Sequence, residues 1–451
     1  MRVHFIAIGG AAMHNMALAL HQKGYEITGS DDEIFEPSRS RLEQKGLLPE
    51  KYGWFPEKIN KDIDAIILGM HARKDNPELL EAQKQELKIY SYPEYIYEQS
   101  KNKKRVVIGG SHGKTTITSM VMHVLKENNI DFDYMVGSQL EGFDTMVRLS
   151  ESAPLIILEG DEYLSSPIDL RSKFLWYKPH IALLTGIAWD HINVFPTWEG
   201  YIQQFDKFVG TCQENGYLTY FQDDEELCKI ADKYKNKINS QAYDTHPHIV
   251  KDGETYLLVG DKEINLSVFG KHNLQNISGA KNICNQIGIS DADFYATISN
   301  FSGAAKRLQT LQKTDSTRIF LDFAHSPSKL KATCSAVKEQ FTERTLVACM
   351  ELHTFSSLKA DFLPQYKGSM DSADIAFVYF NPQTVAHKQL EAISSDDVFK
   401  AFDNPKLKVF TNSEELIQEL KAINYHNKNL LLMTSGNFGG VNLKELSEEL
   451  I

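Results

Sequence analysis

The feature that most restricts the fold is a strand-turn-helix junction in the second quarter of the chain. Val106-Val107-Ile108 runs into Gly109-Gly110-Ser111-His112-Gly113, and a helical pattern starts at Lys114 and continues to about residue 128. A run this short and this β-branched reads as a strand buried on both faces, which belongs in a parallel sheet covered by helices. Parallel strands need crossovers, so the rest of the chain should alternate strand with helix. Apolar runs at residues 3–8, 25–29, 65–68, 155–158, 181–185, 319–323, 346–350, 375–379 and 430–433 meet that demand. The predicted class is α/β.

At ~150 residues per domain, a chain of 451 residues should hold about three. The first βαβ pattern covers a run at 3–8, the small-residue turn Gly9-Gly10-Ala11-Ala12, a helix over 13–23 and a second run ending at Ser30-Asp31. A charged stretch, 99–105, reads as a linker, and Ser302-Gly303-Ala304-Ala305 offers a second boundary. The expected domains are therefore 1–101, 102–300 and 301–451, with the polar stretch 223–253 peripheral to the central one.

A formal net charge of −12 argues against a broad nucleic-acid surface, which needs clustered Lys and Arg. Five scattered cysteines without CxxC spacing suggest neither a disulfide framework nor a zinc site, and they fit a reducing cytoplasm. No apolar run approaches the ~20 residues of a membrane span, and the start reads directly as a strand, so neither a membrane partner nor export is expected.

The turn at Gly110-Ser111-His112-Gly113-Lys114-Thr115-Thr116 has the context of a phosphate-binding loop, in which backbone N–H groups and a helix N-terminus receive phosphate oxygens. Lys114 would neutralise the β and γ phosphates of ATP, and the Thr115 hydroxyl would meet Mg²⁺. Ile108 occupies the first glycine position of the general GxxxxGK[ST] pattern. Two later strand ends deliver Glu159-Gly160-Asp161-Glu162 and Trp189-Asp190-His191 to the edge where open α/β sheets bind ligands. Carboxylate oxygens suit Mg²⁺, and a histidine could join them at a second ion. Any one of these acids alone reads as a solvated loop charge; with Lys114 and Thr115 the metal reading is favoured.

In order and spacing, these segments resemble the Mur ligase family. Gly270-Lys271-His272-Asn273-Leu274-Gln275-Asn276 is similar to its Gly-x-His-Asn-x-x-Asn segment, Lys306-Arg307 to its Lys-Arg, and Asp322-Phe323-Ala324-His325-Ser326-Pro327 to its Asp-Tyr-Ala-His-x-Pro. The resemblance implies three domains: a Rossmann-like N-terminal domain for a UDP-muramyl substrate, a central P-loop ATPase-like domain, and a C-terminal Rossmann-like domain for the amine acceptor. It implies that Gly9, Gly10, Ala11 and Asp31 hold the UDP-sugar, where the residues alone leave a dinucleotide turn with Asp31 on a ribose as the other reading. His272, Asn273, Asn276, Arg307 and Asp322 would then complete the ATP site, Lys114, Glu159, His191 and Arg307 would act in catalysis, and Thr115, Glu159 and His191 would hold Mg²⁺. His325, His353 and Thr354 fall to the acceptor side.

The implied reaction is ATP-dependent amide formation, in which the lactyl carboxylate of UDP-N-acetylmuramate is activated as an acyl phosphate and then attacked by an amine. Leu170-Arg171-Ser172-Lys173-Phe174 and Ser435-Gly436-Asn437-Phe438-Gly439-Gly440 resemble the branch that takes L-Ala-γ-D-Glu-meso-diaminopimelate in peptidoglycan recycling. The runner-up branch takes L-alanine in de novo synthesis. Phe205 stands where later-acting members carry a carbamylated lysine. Gly186 replaces an asparagine, and Glu351-Leu352-His353-Thr354-Phe355-Ser356-Ser357 lacks the arginines of either branch. These departures support a competing reading as a non-catalytic nucleotide-binding regulator. A monomer or weak homo-oligomer is expected.

Overall fold

The computed structural model describes residues 1–140, 142–189, 194–303 and 308–451. They form two compact units, one of Met1–Thr245 with Gln275–Ile298, the other of His246–Leu274 with Ser299–Ile451.

The first unit holds two sheets. Strands β1 (Arg2–Ile6), β2 (Glu26–Ser30), β3 (Ala65–Leu68) and β4 (Ile89–Ser91) lie in the order β2-β1-β3-β4, all parallel. The helix after β1 spans Ala11–Gln22 and buries Met13, Met16 and Leu20 against the sheet. The second sheet contains β5 (Lys104–Gly109), β6 (Asp133–Met135), β7 (Val147–Arg148), β8 (Leu155–Gly160), β9 (Ile181–Leu184), β10 (Tyr217–Phe221) and β11 (Asn239–Tyr243). Its order is β11-β10-β9-β5-β8-β6-β7, parallel except for the β6–β7 pair. The chain leaves β5 towards β6 on the β8 side, whereas it leaves β8 towards β9 on the other side of β5, so the strand order reverses around β5 and opens a crevice at the carboxyl edge. The phosphate-loop segment follows β5 directly.

The charged stretch read as a linker exposes Lys101, Asn102 and Lys104 but buries Lys103 and Arg105. Lys103 Nζ donates to the carbonyls of Ser150 and Ala153 and pairs with Asp133 at 2.8 Å, while the Arg105 side chain donates to the carbonyls of Tyr177 and Ser100. These cations fasten β5 to its neighbours. The polar stretch 223–253 contains the helix Glu225–Tyr234 and β11, whose side chains are exposed up to Tyr243. An edge strand with little burial needs no apolar alternation, which is why it lacks a sequence signature.

In the second unit, β12 (His248–Lys251), β13 (Glu254–Val259) and β14 (Lys262–Leu266) form an antiparallel sheet. It packs with the C-terminal part of the chain, for example through the Thr255 hydroxyl, which donates to Gln340 at 2.9 Å. The remaining strands are β15 (Gln309–Lys313), β16 (Arg318–Asp322), β17 (Thr345–Glu351), β18 (Ile375–Tyr379), β19 (Leu407–Phe410) and β20 (Lys428–Met433), ordered β15-β16-β20-β17-β18-β19. All pairs are parallel except β15–β16, and helices cover apolar clusters on both faces. Among the described residues, no helix is long and apolar enough to cross a membrane.

Candidate active site

The loop after β5, read from the sequence as a phosphate loop, takes its shape from two residues across the sheet. Gly110 has φ +119°, and a Cβ there would lie 2.1 Å from Thr185 Oγ1 at the end of β9, so only glycine fits. Ser111 N donates to Gly186 O at 2.9 Å, and Gly186 itself has φ +139°. That backbone conformation accounts for glycine where the resemblance leads one to expect asparagine. Asn276, on the helix Lys271–Ile287, reaches the loop, since a Cβ on Gly113 would come within 2.6 Å of its Oδ1.

From this loop the helix Lys114–Glu127 begins, and its first residues meet the carboxylates of β8. Lys114 Nζ donates to Gly110 O at 2.6 Å and to Glu162 Oε2 at 2.9 Å. Burial alone would lower the Lys114 pKa, but Glu162 and Asp161 outweigh it and hold the ammonium above its ordinary value. The Thr115 hydroxyl donates to Glu159 Oε1 at 2.9 Å, while Gly137 N donates to Glu159 Oε2 at 3.0 Å. Two hard oxygens side by side at the mouth of a phosphate loop fit Mg²⁺, which takes few protein ligands beside phosphate and water. Among the described residues, no group of three or more His, Cys, Asp or Glu gathers as a metal cage.

A hydrogen-bond relay absent from the sequence reading ties these parts together. Ala188 N donates to Ser111 Oγ at 2.8 Å, Ser111 Oγ lies 3.1 Å from Tyr201 Oη, and Tyr201 Oη donates to Glu162 Oε1 at 2.8 Å. Tyr201 comes from the helix Trp198–Gly210, capped by the Thr197 side chain. Its ring packs edge-on to Phe205 at 5.2 Å, and Phe205 packs on Phe174 at 5.7 Å. The helix carrying Phe205 thus contributes an aromatic wall and one phenol. Beside the relay, Lys173 Nζ pairs with Asp161 Oδ2 at 2.6 Å. Burial pushes the Asp161 pKa up, but Lys173 and Lys114 more than offset this and keep the carboxyl below its usual range.

The first sheet presents its own loop. Gly9 N donates to Asp31 Oδ2 at 2.7 Å, and Asp32 N donates to Asp31 Oδ1 at 3.0 Å. Asp31 therefore holds the turn from inside and occupies the Gly9 donor, leaving Gly10 and Ala11 at the start of the helix. Burial, reinforced by Asp32, pushes the Asp31 pKa up to about 6.

In the second unit, Asp322 at the end of β16 accepts from Leu308 N and Ala324 N, both at 2.7 Å. One His325 ring nitrogen lies 2.9 Å from Phe323 O, and the His325 carbonyl accepts from Tyr366 Oη. Thr354 Oγ1 accepts from Ser357 N at 3.1 Å. Glu351 is buried at the end of β17, accepts from the Thr434 hydroxyl and from Phe438 N, and lies 3.7 Å from His353 Nδ1. Gly436 folds directly over this pair, since a Cβ there would come 2.7 Å from both side chains. Asn273 donates to Phe269 O at 2.8 Å, and His272 begins the same helix. His112 and Thr116 lie within the phosphate-loop segment, Thr116 buried. Asp190, His191, Lys306 and Arg307 lie outside the described residues.

Comparison with known proteins accords with this arrangement. Residues 2–104 match the Mur ligase family, catalytic domain; 108–284 match the Mur ligase middle domain; and 306–437 match the Mur ligase, glutamate ligase domain. The UDP-N-acetylmuramate–L-alanine ligase of Sulfurihydrogenibium is 30% identical over 387 residues, covering 84% of this chain and 82% of that one. The chain belongs to the Mur ligase family. Mur ligases are ATP-dependent, amide-bond-forming enzymes, and this chain is one of them. The UDP-N-acetylmuramate–L-alanyl-γ-D-glutamyl-meso-2,6-diaminoheptandioate ligase of Haemophilus influenzae is 25% identical over 461 residues, covering 99% of this chain and 98% of that one. Among solved structures, UDP-N-acetylmuramate-alanine ligase from Thermotoga maritima matches with a TM-score of 0.71 at 20% identity, covering 100% of this chain and 98% of that one. A murein peptide ligase from Psychrobacter arcticus matches with a TM-score of 0.64 at 22% identity and the same coverage. At those identities the likeness speaks for the fold: three Mur ligase domains of parallel-rich α/β sheets.

Proposed function

We propose that this Mur ligase joins the lactyl carboxylate of UDP-N-acetylmuramate to the amine of L-Ala-γ-D-Glu-meso-diaminopimelate, with ATP cleaved to ADP and phosphate. The observation that carries the acceptor assignment is segment 170–174, which resembles the tripeptide-accepting branch and enters the site through Lys173 on Asp161. Supporting it is the match of the Haemophilus ligase along nearly all of both chains. The 30% identity to an L-alanine ligase favours the second reading, in which L-alanine is the acceptor.

The chemistry follows from charge. A carboxylate is a poor electrophile, so it first attacks the γ-phosphorus of ATP, and ADP departs with the electrons of the broken P–O bond. The neutral amine then attacks the carbonyl carbon of the acyl phosphate; the C–N bond forms, the C–O bond to phosphate breaks, and the proton lost from nitrogen leaves with the phosphate or to solvent. Both steps crowd anions together, and phosphoryl transfer depends mainly on positioning and charge stabilisation. Lys114, kept protonated, supplies a cation where the γ-phosphate would lie, and the N-terminus of Lys114–Glu127 adds its dipole. Thr115 and Glu159 would hold Mg²⁺, which when bound neutralises phosphate oxygens. Glu162, steadied by Tyr201, fixes the Lys114 side chain beside the loop.

The test is isotopic. UDP-N-acetylmuramate carrying ¹⁸O in its lactyl carboxylate should pass one ¹⁸O to the released phosphate, read by mass spectrometry. Unlabelled phosphate would contradict activation through an acyl phosphate.

A further inference from the structure

Lys173 stands where the two sheets of the first unit meet. It opens the short 3₁₀ turn Lys173–Trp176, and its Nζ lies 2.6 Å from Asp161 Oδ2, just past the carboxyl end of β8. Its ammonium also lies 5.9 Å from the ring of Tyr92 and 5.6 Å from that of Tyr163. Tyr92 is the first residue after β4, so it marks the carboxyl edge of the first sheet, the edge that also carries the Gly9-Gly10 turn. A substrate held on that turn and phosphorylated at the loop after β5 must pass between these two edges.

A purely structural ion pair is the bland alternative, and the surrounding loop does not need one. Residues 161–177 are already closed by backbone bonds from Lys173 N to Tyr163 O, Phe174 N to Asp161 O and Ser165 N to Arg171 O. Phe174 anchors the same turn, stacked on Phe208 at 4.6 Å. The pair is also reachable, with side-chain exposures of 18% for Lys173 and 37% for Asp161. The alternation Lys114, Glu162, Asp161, Lys173 sums to zero charge, so an arriving carboxylate finds no uncompensated cation unless one lysine changes partner. Lys114 is committed to the phosphate loop. Lys173, on a flexible four-carbon stem, is the one able to exchange.

We propose that Lys173 receives the substrate carboxylate that is to be phosphorylated, exchanging Asp161 for it and holding it between the two sheets; this rests on the muramyl-ligase reading above. Lys173 is then a substrate-binding residue that sets affinity for the acidic sugar and leaves ATP affinity alone.

The experiment compares calorimetric binding of UDP-N-acetylmuramate and of UDP, which lacks the carboxylate, to the full chain. Lys173→Met should weaken UDP-N-acetylmuramate at least tenfold while UDP stays within twofold of wild type, and Lys173→Arg should recover most of the loss. Asp161→Asn, which removes the competing carboxylate, should tighten UDP-N-acetylmuramate threefold or more, and it serves if Lys173→Met fails to fold. Equal weakening of both ligands by Lys173→Met, no weakening, or unchanged or weaker binding by Asp161→Asn would overturn the proposal. Because binding needs neither acceptor nor turnover, a wild-type protein that binds UDP-N-acetylmuramate but releases no phosphate would sink the proposed reaction while the carboxylate-binding role of Lys173 is still decided by the variants. A wild type that binds no UDP-N-acetylmuramate would overturn both.

Discussion

Removing the Tyr201 hydroxyl should loosen the phosphate loop without emptying the core. In Tyr201→Phe the ring keeps its packing on Phe205 and on Phe195, at 5.2 and 5.5 Å, so no sizeable cavity opens. What goes is the bond to the Glu162 carboxylate at 2.8 Å and the contact with Ser111 Oγ at 3.1 Å. A buried hydrogen bond to a charged group is worth about 1.5–3 kcal/mol. If that is felt where Lys114 and the loop meet ATP, kcat/KM for ATP should fall about ten- to a hundredfold, at ~1.4 kcal/mol per factor of ten. Steady-state ADP production measures it, and a double-mutant cycle with Ser111→Ala locates it. Two residues in one relay should be non-additive by about 0.5 kcal/mol or more. Turnover within twofold of wild type, or strict additivity, would refute the argument that the relay orders the loop.

Lys114→Met should abolish ADP formation while circular dichroism stays native; because it strips a buried partner from Glu162, it should also lower stability by up to about 3–5 kcal/mol. Adding Glu162→Gln should return the stability but not the activity, which denaturant titration and ADP assays separate. Asp31→Asn should remove the pH dependence that the Asp31 carboxyl gives to stability; since both Asp31 oxygens accept from backbone N–H groups and the amide can replace only one of them, the effect is read in how the difference from wild type changes with pH. With the folded pKa raised to about 6 from an ordinary 3.8, the acid's favourable contribution is complete below about pH 4 and is lost as pH rises through 6. Relative to the variant, wild type should therefore lose something on the order of 3 kcal/mol between pH 4 and pH 7, which urea unfolding at the two pH values should show. A gap that does not change with pH would contradict it.

Much of the architecture was legible because parallel strands buried on both faces announce themselves as apolar runs, and β1, β5, β8, β9, β16, β17, β18 and β20 all sit on such runs. The edge strands β11 and β15 carry polar sequences, Asn239 to Tyr243 and Gln309 to Lys313, and give no such signal. The strand-turn-helix junction at 109–114 was legible from its glycines and the helical pattern after it. Tyr201 was not, because it sits on an ordinary amphipathic helix and its partners, Ser111 and Glu162, lie 90 and 39 residues away. Gly186 read as a missing polar contact, yet its φ of +139° makes glycine the natural occupant. That the Asp31 carboxylate accepts from Gly9 N was not legible either, because only the three-dimensional path of the chain brings the end of β2 against that turn.

Which amine is consumed decides most directly between the two acceptors. Phosphate release from ATP would be followed with UDP-N-acetylmuramate and either L-Ala-γ-D-Glu-meso-diaminopimelate or L-alanine, with product masses read alongside. Release with the tripeptide, and a product mass equal to the joined pair less water, is the predicted result. Release with L-alanine alone would contradict the acceptor assignment, and silence with both would contradict the ligase reading itself.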